Sequence, residues 1–141
     1  MALASIGGGY QFTDGNQNEL SMGTQVAPQT ATATATLTVA QVTGGLLVGN
    51  PVTTAASYTL PTGTQLDAQM TNMKVNSTFT LTIINLGTST GLITVVAGAT
   101  GITTSGNLVV AITGSAAGVG GAATFLFRKT DTAAYTVYRV S

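Results

Sequence analysis

The chain has 141 residues, four acidic and four basic side chains and no His, Cys or Trp. Charged residues make up 6% of it, against about 25% in an ordinary soluble protein. That composition excludes a thiolate or imidazole zinc site, a Cys nucleophile, a Ser-His-Asp triad and a disulfide framework. Four scattered bases give no electrostatic footprint for a phosphate backbone. The expectation is a structural or binding protein, with no enzyme activity, no cofactor, no metal and no nucleic-acid partner.

Mean hydropathy is +0.41, yet runs such as Leu108 to Ile112 fall far short of the roughly 18 apolar residues that cross a bilayer. Met1 to Ile6 is apolar but lacks a basic leader, so no secretory signal is expected and no membrane partner. A surface of Thr, Ser, Asn, Gln and small apolar residues at zero net charge resists self-association poorly. It suits a subunit covered by its neighbours.

Residues 1–29 carry glycines and amides without strand or helix period, dotted with Ile6, Tyr10, Phe12, Leu20 and Met22. They are expected to form an extended arm that seats those side chains in a partner's pockets. Residues 30–141 are expected to form one β domain. Thr30 to Val39 alternates strictly and predicts a strand, with Leu37 and Val39 on one face. Gly44-Gly45 and Asn50-Pro51 mark turns around a strand at Leu46 to Val48, and Thr53 to Leu60 predicts the next.

Residues 64–74 form the single expected helix, with Thr64 and Asp67 resembling a capping box and Leu66, Met70 and Met73 on one stripe. Strands are then predicted at Thr78 to Ile84, Leu92 to Ala97, Leu108 to Ile112, Ala123 to Lys129 and Ala134 to Val140, with a long small-residue loop at Gly114 to Gly121. No strict internal repeat is visible. Some eight short strands at near-regular spacing predict an all-β fold, an antiparallel β-sandwich of jelly-roll type.

Candidate chemistry is sparse. Asp14-Gly15-Asn16-Gln17-Asn18 opens like a calcium loop but lacks the later glycine and bidentate acid, so a polar turn is expected. Asn76-Ser77-Thr78 fits the glycosylation pattern, which means little without a secretory route. Tyr10, Tyr58, Tyr135 and Tyr138 could stack on sugars, but packing is the expected fate of each. Phe125, Phe127, Arg128 and Tyr138 are the candidates for an interface between copies of the chain.

The order Tyr58-Thr59-Leu60-Pro61, a short helix, Phe79 to Asn85, Gly98 to Thr103, Ala123-Thr124-Phe125 and Tyr135 to Arg139 resembles small β-sandwich proteins of tailed bacteriophages, in particular head decoration (cement) proteins. The resemblance spans roughly Thr36 to Val140. It implies a structural protein on the capsid surface of a virion assembled in the host cytoplasm. It further implies a homotrimer that clamps neighbouring major capsid proteins. An arm of 29 residues could reach on the order of 90 Å when extended, and three arms would multiply weak contacts. The alternative expectation is a receptor-binding or fibre-tip module that recognises glycans.

Overall fold

The computed structural model describes residues 23–112 and 121–141. Ten strands and two short helices lie along them: β1 (Gln29–Ala31), β2 (Ala35–Thr36), α1 (Val39–Thr43), β3 (Leu46–Gly49), β4 (Ala56–Thr59), α2 (Gly63–Gln69), β5 (Thr78–Asn85), β6 (Ile93–Val96), β7 (Ile102–Ser105), β8 (Val109–Val110), β9 (Ala122–Asp131) and β10 (Ala134–Arg139). The protein is mostly β, in two sheets, ordered β1-β3-β5-β9-β10-β7 and β2-β4-β6-β8.

From β1 to β9 the chain alternates between the two sheets, visiting each in turn. Except for β9 and β10, neighbours in a sheet are therefore separated by a passage through the other sheet. β1, β3 and β5 pair in parallel, as do β2, β4 and β6. Antiparallel pairing is confined to β5–β9, β9–β10 and β6–β8. The sheets are thus mixed, where hairpin logic predicted antiparallel neighbours throughout. Gln29 pairs with Leu47, 18 positions on, whereas Leu46 pairs with Thr82, 36 positions on. Coils of such unequal length leave no fixed period in the sequence.

The expected strand at Thr30 to Val39 is two short strands, one in each sheet, followed by a helix the sequence reading missed. The residues that overrule the alternation are Thr38 and Gln41. Thr38 Oγ1 accepts from the Gln41 N–H, while Gln41 Oε1 accepts from the Thr38 N–H. This reciprocal cap satisfies two amides that the first helical turn would leave unpaired. Leu37 just before the cap and Val42 four residues after it are both buried, the positions of a hydrophobic staple.

α2 repeats the device one coil later. Its cap is Thr62 with Gln65, not the expected Thr64 with Asp67. Thr64 lies inside the helix, so its hydroxyl is in the wrong place to cap. The helix is also shorter than expected, ending at Gln69. Leu66 is buried, and Met70 and Met73 pack against the core from partly exposed positions.

One hydrophobic core takes side chains from both sheets. Leu47, Leu81, Ile83, Phe125, Phe127, Tyr135 and Val137 come from the larger sheet, and Ala56, Tyr58, Ile93, Val95 and Val110 from the smaller. Alternate residues of β5, β9 and β10 face it, as strand geometry requires. At its margin Phe79 stacks on Phe127 with ring centroids 4.6 Å apart. That offset geometry adds about 1 kcal/mol to the burial of the rings.

Candidate functional site

Phe125 and Phe127, expected at an interface between copies, are 0% exposed and fill the core of their own chain. Alternation along β9 turns both inward, so neither has surface left to offer a neighbour. Arg128 and Tyr138 are partly exposed, and Arg128 Nη1 donates to the Tyr138 hydroxyl at 3.4 Å while its Nε donates to Asn76 Oδ1 at 3.1 Å. Ile6, Tyr10, Phe12, Leu20 and Met22 lie outside the described residues, as do the Asp14 to Asn18 turn and residues 114–120 of the expected loop. Of the other tyrosines, Tyr58 and Tyr135 are enclosed in the core, and burial pushes the Tyr58 hydroxyl pKa up. Tyr138 is left as the described tyrosine with exposed surface for a sugar.

One densely connected polar group was singled out from the sequence only as a partner in the expected helix cap. Asp67, on α2, reaches the β9–β10 hairpin. Its Oδ1 accepts from Lys129 Nζ at 2.7 Å and from the Tyr135 hydroxyl at 2.5 Å, and its Oδ2 accepts from the Ala133 N–H at 2.7 Å. Burial alone would raise its pKa. The donors from Lys129, Tyr135 and Ala133, with the Lys129 charge, outweigh that and hold it at about 2, below the usual 3.8. Tyr135 moves the other way, raised by burial and then by the adjoining carboxylate.

Close backbone packing brings this knot together. A Cβ on Gly63, the first residue of α2, would lie 1.9 Å from the Ala133 carbonyl, so nothing larger than glycine fits there. Both carboxylate oxygens of Asp67 are engaged with the protein itself, which makes the cluster a clamp between helix and hairpin. Among the described residues no group of three acidic, His or Cys side chains could hold a metal ion.

A second polar pin sits at the far end of the core. Asn85, fully buried at the end of β5, donates through Nδ2 to the carbonyls of Gly91, Val110 and Ala111 at 2.9, 3.1 and 3.1 Å, and its Oδ1 accepts from the Gly87 N–H at 2.8 Å. It locks the β5–β6 turn to β8.

These two pins mark two unlike ends of the molecule. At the Asp67 end lie α2, the start of β5 and the β9–β10 hairpin, with Asp67, Lys74, Arg128, Lys129 and Asp131. Arg139 is the last residue of β10, opposite Phe125 of β9, and donates to the carbonyls of Asn107 and Val109. At the Asn85 end the turns at 32–34, 50–55 and 86–92 lie side by side, because Ala31 pairs with Gly49 and Gly49 with Asn85. None of those turns carries a charged residue. Instead Val52, Leu86 and Leu92 stand 60, 47 and 39% exposed.

No family model, curated protein sequence or solved structure matches this chain.

Proposed function

We propose that this chain is a structural virion protein: a decoration, or cement, protein on the outer surface of a phage head. In this reading it acts as a homotrimer, and its arm clamps neighbouring major capsid proteins. The observation that supports it is the scarcity and segregation of charge. A 6% charged chain gathers five of the six ionisable side chains among its described acids and bases at one end, leaving the turns of the opposite end to threonine, small polar and aliphatic residues. Ionised groups keep free monomers apart, and interface cores are depleted of them. We take the two sheets as the layers of a sandwich that serves as a rigid body, and shorten the reaching segment from the expected residues 1–29 to residues 1–22, because Gln29 opens β1. Residues 23–28 belong with the body: Gln25 Nε2 donates to the Gly44 carbonyl, tying the lead-in to α1.

A shell under internal pressure opens at the seams between capsomers, so a clamp must touch subunits on both sides. Ordering a glycine-rich arm offsets most of what its apolar side chains contribute, so each contact is moderate and multivalency decides retention. Co-sedimentation with empty heads tests the reading. The full chain is expected to pellet with them, and a chain lacking residues 1–22 is expected to stay folded and remain in the supernatant. Binding of the shortened chain at full strength would overturn the role of the arm. Failure of the full chain to bind any head would overturn the reading.

A further inference from the structure

The Asn85 end carries a backbone feature that its burial pattern does not explain. Val52 adopts φ 59, a left-handed conformation that a β-branched residue rarely takes, while 60% of its surface is exposed. The conformation is held from three directions. The Val52 N–H donates to Asn50 Oδ1 at 3.3 Å, the Val52 carbonyl accepts from the Thr88 N–H at 2.7 Å, and the Thr54 N–H closes the turn onto the Pro51 carbonyl at 3.1 Å. A Cβ on Gly91 would lie 2.5 Å from the Val52 carbonyl, so the neighbouring turn is glycine-tight against it. Such over-determined strain costs stability, and within the folded chain the Val52 side chain gains little burial in return.

A notch of about 260 Å³ opens beside it, between the β1–β2 turn at 32–34 and the β3–β4 turn at 51–56. Its lining is threonine, alanine and proline, without an ionisable group. An aliphatic knob thus stands next to an uncharged hollow on a charge-free face that also shows Leu86 and Leu92.

We infer that the Asn85 end is a self-association surface, and that its occupant is the same end of a second copy, Val52 of one entering the notch of the next. Charge argues for this occupant. A partner with ionised groups would strand them unpaired against a face that offers none in return. A second copy of this end presents no ionised side chain and supplies the matching knob. Because knob and notch are neighbours, each copy can give and receive at once, which closes either a pair or a ring. This gives the self-association in the proposed reading a surface. Its test needs only the purified chain, so it can fail without deciding whether the protein binds heads.

The test is light scattering of the full chain with two substitutions. The wild type is expected at a whole multiple of 14.0 kDa. Val52→Glu is expected to return it to the single-chain mass with its circular dichroism unchanged. Val75→Glu, at a valine 53% exposed near the opposite end, is expected to leave the assembly intact. Val52→Gly relieves the backbone while removing the knob. It is expected to melt at a higher temperature as a dilute monomer and to associate at least tenfold more weakly. A wild type that stays at 14.0 kDa at high concentration overturns the proposal, as does a wild-type mass for either Val52 variant.

Discussion

The hydroxyl of Tyr135 donates to the Asp67 carboxylate across 68 positions of sequence, joining the final strand of the fold to a seven-residue helix that is too short to be stable alone. The same carboxylate holds Lys129, and the two ionised side chains are 20 and 11% exposed. α2 is therefore fixed by polar pins at one end and by Leu66 in the core.

The pins make stability depend on pH in a defined direction. Asp67 has its pKa depressed on folding, from 3.8 to about 2. Its contribution is fully present above pH 4 and is lost as pH falls through that interval. After allowance for its partial exposure the loss is on the order of 1–2 kcal/mol. Tyr135 has its pKa raised on folding, so its contribution is present below about pH 10 and is lost at higher pH as the phenol ionises. Asp67→Asn is expected to abolish the acid limb between pH 4 and 2. At pH 7 it should cost about 3 kcal/mol, because Lys129 keeps a mostly buried charge without its partner. Urea unfolding of both forms across pH measures this. An unchanged acid limb in the variant would assign it to another group.

Asn85 is expected to be the least replaceable polar residue. Asn85→Ala leaves several buried carbonyls and one N–H without their partner, a loss of about 3 kcal/mol or more. Asn85→Asp should be at least as damaging, since an acceptor would then face the carbonyls of Gly91, Val110 and Ala111. Thermal melts of the two variants give the ranking. An aspartate variant as stable as wild type would mean that the three carbonyls turn elsewhere.

The two caps should contribute independently and alike. Thr38→Ala and Thr62→Ala are each expected to destabilise the chain by about 1 kcal/mol. Gln41→Ala should cost more than Gln65→Ala, because Gln41 Nε2 also donates to the Thr30 carbonyl of β1 at 2.8 Å. Denaturant midpoints of the four variants check the order.

The β character and the paired inward faces of β9 and β10 were legible in the sequence, since Phe125 and Phe127 recur at every second position of β9 and Tyr135 and Val137 at every second position of β10. What alternation cannot carry is the choice of partner strand. Ala31 to Thr36 fits one long strand as well as it fits two short ones, because alanine and threonine bury too little to fix a face. The signal that decides the region is Thr38-x-x-Gln41, which repeats as Thr62-x-x-Gln65. Reading those two caps together locates both helices. Asn85 and Val52 were hidden for another reason: an amide in a strand and a valine in a turn acquire their roles from segments far along the chain.

In the proposed reading the chain is bound to the lattice of the phage head, and copy number per particle is the decisive measurement. Counting the chain against the major capsid protein in purified virions by quantitative mass spectrometry should give hundreds of copies in a fixed small ratio to the shell subunit. A handful of copies per particle, as at a single vertex or fibre tip, or none at all, would contradict the account.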